Sequence, residues 1–360
     1  MDHFDAINTV GIEKSRALNV ALASEQSRDF TPTIGTISIG LSSGTSGNKG
    51  IFLTSPTEKA IWVGAILDRV IGLSFKKRKV AFFLRANNNL YESVKSNTLA
   101  FTFFDLKDSV KMHFEKLVEL SADILVAQPS ALLQIAQCYE ESTRQPSFTK
   151  VISVAEVLEE DQKMYFQKVL GCAIDQVYQC TEGFLAYTCR NGKLHFNEDW
   201  LKIEKRYLDD QRFHPIITDY LRSSQPIVRY ELNDIIHEGK PCSCGSKATV
   251  IDRIEGRSDD VFQFDVKGET VLIYPDFIRR AVISASDDIL NYFIRKTSKS
   301  QIEVSLEVPA EHSSKELFEL VRESLINTLK TFGVQSVEIS QIDYVHNPMM
   351  KFTRIKNDAR

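Results

Sequence analysis

The stretch Gly40 to Phe52, GLSSGTSGNKGIF, constrains the fold most, because it lies between two runs patterned as strands. Ile37, Ile39 and Leu41 alternate as in a half-buried strand, and Ile51-Phe52-Leu53 resumes an extended apolar run. The chain must leave one strand, cross a glycine-rich loop and enter another. Glycines let backbone N–H groups approach an anion closely, Ser42, Ser43, Thr45 and Ser46 add hydroxyl donors, and Lys49 supplies a point charge. Phosphate is the natural guest of such a loop. The spacing is not that of a P-loop, since only Thr45 and Ser46 separate Gly44 from Gly47 and a strand, not a helix, comes next. Composition alone favours a solvated hairpin turn, so the phosphate reading needs support from elsewhere in the chain.

After the loop, Ser55-Pro56-Thr57-Glu58 combines a serine N-cap, a proline at the first helical position and a glutamate placed for a capping box, which predicts a helix running towards Ile71. Val80 to Leu84 (VAFFL) and Asp123 to Gln128 (DILVAQ) read as buried strands, the second leading into a helix at Pro129-Ser130. Strands and helices are expected to alternate through most of the chain, which predicts an α/β protein. Around Glu255 to Asp260 the sequence turns charged and small. The C-terminal hundred or so residues carry their own pattern: Ile302, Val304 and Leu306 alternate, Leu317, Val321, Leu325 and Leu329 recur at four-residue intervals within Ser313 to Phe332, and Val337-Ile339 begins another strand. Two domains are expected, residues 1–256 and a small α+β domain at 257–360, with HNPMMKFTRIKNDAR as an exposed tail.

A chain of 360 residues, 43% hydrophobic, can bury at least one large core, and its net charge of -4 offers no concentrated positive surface for nucleic acid or anionic lipid. With no basic-then-apolar leader and no apolar run long enough to cross a bilayer, a cytoplasmic location is expected. Six cysteines are too sparse for a disulfide scaffold. Cys242-Ser243-Cys244-Gly245 holds two thiols in a turn, and CRNGKLH, a hairpin around Asn191-Gly192, adds Cys189 and His195. Together they form a Cys3His set suited to structural zinc; reduced thiols without metal are the alternative.

Further motifs give the loop its context. Val154-Ala155-Glu156, Tyr178-Gln179-Cys180-Thr181-Glu182, Arg229-Tyr230-Glu231-Leu232-Asn233-Asp234, Gly256-Arg257-Ser258-Asp259 and Lys351 come after it in order. With the loop, this series resembles the adenylate-forming superfamily of acyl-CoA synthetases, nonribosomal-peptide adenylation domains and luciferases. The resemblance covers most of the chain. It implies a large α/β domain with a mobile α+β C-terminal domain, ATP with Mg²⁺, and conversion of a carboxylic acid to an acyl-adenylate. The loop residues Ser42 to Gly47 and Lys49 would then hold the β- and γ-phosphates, Ala155 and Glu156 the adenine, Tyr178 and Thr181 the AMP, and Glu182 the magnesium. Asp234 would grip the ribose hydroxyls, Arg257 would donate to ribose or phosphate, Asp259 would mark the hinge, and Lys351 would bridge carboxylate and phosphate during adenylation. Alone, each of these side chains would be read as a surface charge or a core aromatic.

AFFLRANNNLY, VYQCTEGFLAYTC and PCSCGS are most similar to the phenylacetate-CoA ligase and deazaflavin-cofactor adenylyltransferase branch, and size and wording resemble adenylating proteins of phenazine-antibiotic pathways. That implies an aromatic acid, among them phenazine carboxylates, with the acyl pocket near Phe82 to Tyr91, Ala155, Tyr178 and Phe184 to Tyr187. Coenzyme A, a carrier protein or a downstream enzyme would take the product; an oligomer is compatible. The chain departs from the family pattern at Asn233, where glycine is usual, at Met350 before the tail lysine, and in lacking a proline before Lys49. Two other functions remain open: AMP transfer to a hydroxyl-bearing cofactor, and a nucleotide-binding scaffold without chemistry.

Overall fold

A computed structural model of the chain describes residues 3–27, 31–41, 50–72, 74–84, 98–345 and 353–359. The phosphate-loop residues Ser42 to Lys49 and the tail residue Lys351 lie outside the described residues, as do positions 85–91 of the expected acyl pocket.

Two N-terminal helices, α1 (Phe4–Ile7) and α2 (Lys14–Ser27), cover a small antiparallel sheet of β1 (Thr33–Ile34), β2 (Ile37–Leu41) and β3 (Ile51–Thr54). β2 and β3 pair with Gly40 opposite Phe52, and a Cβ at Gly40 would stand 2.1 Å from the tip of the Phe52 ring, so a larger residue there requires the ring to move aside. α3 (Pro56–Ile66) starts on the expected capping box, with Ser55 Oγ accepting from the Glu58 amide (3.3 Å) and Glu58 accepting from the Ser55 amide (2.6 Å), and ends in a π-helical turn at Leu67–Ile71.

The α/β alternation then holds for about a hundred residues: β4 (Arg78–Leu84), β5 (Leu99–Asp105), α4 (Val110–Leu120), β6 (Ile124–Ala127), α5 (Pro129–Glu141), β7 (Lys150–Ser153), α6 (Glu160–Leu170) and β8 (Ile174–Cys180). Strands β5-β4-β6-β7-β8 are parallel neighbours. Both faces of β4 are buried: Ala81 and Phe83 face α4, α5 and α6 through Leu117, Leu132 and Phe166, while Val80 and Phe82 face α3 through Ile66 and Val70. Burying each such side chain stabilises by about 1.5–3 kcal/mol, which is why these strands read as continuous apolar runs.

From β8 onward the alternation fails. β9 (Gly183–Thr188), β10 (Leu194–Phe196), β11 (Leu201–Tyr207), β12 (Arg212–Asp219), β13 (Tyr230–Glu231), β14 (Asp234–Glu238) and β15 (Val250–Arg257) extend the same sheet with antiparallel pairs, giving twelve strands among the described residues. Hairpins need no crossover helix, so this half carries none.

After a 3₁₀ turn at Ser258–Asp260 come β16 (Phe262–Val266), β17 (Glu269–Ile273), α7 (Pro275–Ile283), β18 (Asn291–Lys296), β19 (Gln301–Glu307), α8 (Ser314–Thr331) and β20 (Glu338–Gln341). Their core, centred on Ile294, Val304, Val321 and Leu325, is separate from those of the large sheet. The tail is not wholly exposed as expected. Ile355–Asn357 forms β21, pairs in parallel with β18 and buries Ile355, because the free edge of β18 satisfies its backbone groups.

Candidate functional site

A cleft of about 460 Å³ opens at the carboxyl ends of β6 and β7, the end of an α/β sheet at which ligands bind. Pro129 and Ser130 of α5 and Glu156 after β7 form one wall, Asp234 and Arg257 of β14 and β15 a second, and Thr353 to Asp358 the wall contributed by β21.

Asp234 is the best-defined group there. Its Oδ2 accepts from the Tyr178 hydroxyl, its Oδ1 lies 3.5 Å from Arg257 Nε, and its carbonyl lies 3.1 Å from His214 Nδ1. Tyr178 and Asp234 are brought together by register shifts after Tyr178 in β8 and after Ile235 in β14, and such bulges re-aim side chains. Burial, then the Asp234 charge, pushes the Tyr178 phenol far above its usual range, so it remains a donor. Asn233 donates to Asp259 (2.7 Å) and its carbonyl accepts from the Ser258 amide (2.7 Å), tying β14 to the 3₁₀ turn. The Asn233 side chain thus holds Asp259, the residue expected at the hinge. Burial pushes the neighbouring Asp260 carboxyl up to about 6, with Arg257 opposing and Asp259 reinforcing the shift.

Across the cleft Ala155 takes a left-handed φ of 68°, and the Glu156 carboxylate accepts from the Ser130 amide (3.1 Å) at the start of α5. Thr181 and Glu182 form the turn beyond β8, with Thr181 Oγ1 donating to Glu182 (2.9 Å); burial, then the Glu182 charge, pushes the Tyr230 phenol above its usual range. Cys180 beside them is pushed well up, first by burial and then by Glu182 and Asp234, which keeps the thiol protonated and unsuited to nucleophilic attack. Phe82, Ala155, Phe184 and Tyr187 of the expected acyl pocket share one apolar cluster. Tyr178 belongs to the adjacent one.

Several side chains here escaped the sequence reading. Arg222 donates to the Thr181 carbonyl, Gln225 bridges to β3, and Glu58, read only as a capping residue, also accepts from the Ser223 (2.6 Å) and Ser224 (2.7 Å) amides. The one available signal was the Ser223-Ser224-Gln225-Pro226 loop composition. Arg279 of α7 reaches Glu159 (3.0 Å) and the Glu255 carbonyl (2.9 Å), joining the C-terminal elements to the large sheet.

Two pairs distant in sequence, Cys189 with His195 and Cys242 with Cys244, converge with their ligand atoms all within 4.8 Å. Cys189 and Cys242 sulfurs are 3.8 Å apart, and the Cys244 sulfur is 3.5 Å from His195 Nε2. His195 is fully buried, and its Nδ1 lies 3.1 Å from the Ala248 carbonyl, which fixes Nε2 as the lone-pair nitrogen facing the thiols.

No protein-family model matches the chain. Over 134 residues it is 28% identical to indoleacetate–lysine synthetase from Pseudomonas savastanoi, a match spanning 36% of this chain and only 33% of that protein. Among solved structures, 2-hydroxyisobutyryl-CoA ligase in the postadenylation state superposes with a TM-score of 0.70 at 15% identity, over 96% of this chain and 79% of that one. The anthranilate CoA ligase AuaEII in complex with anthranoyl-AMP gives 0.61 at 11% identity, over 88% and 65%. The fold is therefore that of the adenylate-forming ligases. Open and thioesterification states of the first ligase superpose with TM-scores of 0.56 and 0.53, over 85% and 89% of this chain. No helix among the described residues is long and apolar enough to cross a membrane.

Proposed function

We propose that the protein activates a carboxylic acid with ATP. A carboxylate oxygen attacks the α-phosphorus, the bond from that phosphorus to the β-phosphate bridging oxygen breaks, and acyl-AMP and pyrophosphate leave. The observation that carries this reading is Asp234, held by Tyr178 and Arg257 in a cleft of the adenylate-forming fold. A carboxylate so fixed presents its remaining lone pairs to two vicinal hydroxyls, as a ribose offers them. Glu182 with Thr181 offers oxygen ligands of the kind Mg²⁺ prefers, and the ion when bound supplies charge neutralisation of the polyphosphate. Ser42 to Gly47 and Lys49 complete the phosphate contacts in this proposal, and Lys351 the contact to the reacting carboxylate. Residues 1–256 would bind nucleotide and acid, and 257–360 would close over them about Asp259.

The aromatic cluster of Phe82, Phe184 and Tyr187 supports a flat apolar acid, phenazine carboxylates of the D-alanylgriseoluteic acid route among them. Coenzyme A and carrier proteins are the first acceptors to test; the name of the curated relative adds lysine and other amines. The test is acid-dependent exchange of pyrophosphate into ATP across a panel of aromatic acids, expected in the native protein and lost in Glu182→Ala. A flat panel despite measured ATP binding overturns the reading; an adenylylated hydroxyl cofactor found by mass would replace it with AMP transfer.

The Cys3His cluster would hold a structural zinc. A tetrahedral site with Zn–S of about 2.3 Å and Zn–N of about 2.0 Å has ligand-to-ligand edges of roughly 3.5–3.8 Å, matching the two measured separations. Protein purified without added zinc should carry one equivalent; far less refutes the assignment.

A further inference from the structure

The loop between β12 and β13 reaches two parts of the nucleotide site at once. Arg222 donates to the Thr181 carbonyl and, through Nη2, to Gln225 Oε1 (3.1 Å). The same Gln225 oxygen accepts from the Leu53 amide (3.0 Å), and Gln225 Nε2 donates to the Ile51 carbonyl (3.1 Å). Gln225 therefore behaves as an additional strand partner for β3, the strand that comes after the glycine-rich segment. Glu58 anchors the loop from the other side through the Ser223 and Ser224 amides and the Ser224 hydroxyl. Burial pushes the Arg222 guanidinium below its ordinary value, and the charges of Glu58, Asp219 and Glu182 oppose that shift. A buried guanidinium bound to a carbonyl and an amide oxygen, with three carboxylates around it, is held in one orientation by its fork of donors.

We propose that Arg222 is a positioning residue for Mg·ATP. Through the Thr181 carbonyl it fixes the turn that carries Glu182, and through Gln225 it fixes that turn relative to β3. The proposal deepens the adenylation reading and rests on it. Loss of the guanidinium frees the turn without removing any group that would touch the nucleotide. A displacement of about 1 Å in such a group costs up to roughly 100-fold.

The experiment compares the native protein with Arg222→Met, Arg222→Lys and Gln225→Leu in pyrophosphate exchange, varying ATP, acid and Mg²⁺ separately, with thermal melts alongside. The expected result for Arg222→Met is a fall of about 10- to 100-fold in kcat/KM for ATP and a raised half-saturating Mg²⁺, with KM for the acid within about twofold. Arg222→Lys keeps the charge but not the fork and should lie between. A purely structural role would lower the melting temperature and the active fraction while leaving both KM values unchanged, and that result overturns the proposal. Equal loss in the ATP and acid terms overturns it too. Should Arg222→Met fail to fold, Gln225→Leu carries the same expectation for ATP at smaller size. If the native protein shows no exchange with any acid, the adenylation reading falls instead. Calorimetric binding of ATP with and without Mg²⁺ in the same variants then decides the role of Arg222, which stands only if the magnesium-dependent part of the affinity is lost.

Discussion

Replacing Asp234 with asparagine isolates the proposed ribose contact with little change of shape. The carboxylate accepts from Tyr178 on one oxygen and faces Arg257 at 3.5 Å with the other. A hydrogen bond to a charged acceptor contributes about 1.5–3 kcal/mol, so two ribose hydroxyls would draw about 3–6 kcal/mol from Asp234. Asparagine retains one acceptor; if its oxygen keeps Tyr178, its amide donor faces the Arg257 donor. We expect about half the contribution to vanish, roughly 1.5–3 kcal/mol, or about a 10- to 150-fold fall in kcat/KM for ATP. KM for the acid should stay within about twofold, because the proposed acyl pocket lies in a different cluster. Pyrophosphate exchange at saturating acid with varied ATP reads the first quantity, and the converse titration the second. Tyr178→Phe, which keeps the carboxylate and removes one donor, is the control and should cost about 1 kcal/mol. An ATP term within about threefold of native in Asp234→Asn, or an equal loss in the acid term, would refute the argument.

Gly40→Ala should destabilise by about 1–3 kcal/mol in denaturant unfolding, because the new methyl meets the Phe52 ring, and Phe52→Leu in the same chain should recover part of the loss. Burial alone would raise the Glu58 carboxyl, but bonds from Ser224 and Ser55 hold it down to about 2. Its contribution is thus present above about pH 4.5 and lost as the pH falls towards 2, so Glu58→Gln should cost about 1–2 kcal/mol at pH 7, discounted for partial exposure, and nothing near pH 2. Asp260 has the opposite sign. Burial raises its folded value to about 6, so stability falls as pH rises from about 4 through 6, and Asp260→Asn should raise the melting temperature at pH 7.5 but not at pH 4. An equal shift at both values would contradict this.

Local physics made part of this fold readable in advance. The caps at Ser55 and Ser313 and the proline at the start of α5 each satisfy or remove orphan helix donors within a few residues, and the doubly buried strands β4 and β6 declare themselves as unbroken apolar runs. Of the antiparallel half only the β9–β10 hairpin at Asn191-Gly192 was readable, because pairing β14 with β12 and β15, or β10 with β15, is decided by partners distant in sequence. β21 is the sharpest case. Its segment offers a single buried apolar residue, Ile355, and becomes a strand because β18 presents an open edge to it.

The site divides in the same way. Tyr178, Thr181, Glu182, Asp234 and Arg257 were singled out in the sequence by residue type and order along the chain, and the structure brings Tyr178, Asp234 and Arg257 together. Their geometry was not legible, since the bulges after Tyr178 and Ile235 leave no mark in the residues that form them. Supporting residues are the least legible of all. Arg222 and Gln225 act through a backbone carbonyl and two strand groups, contacts that many side chains of suitable reach can make, so neither residue type announces the role. Departures from a family pattern should therefore be judged by what the replacement holds. At position 233 the asparagine side chain anchors Asp259, which ties β14 of the large sheet to the 3₁₀ turn that leads into the C-terminal elements.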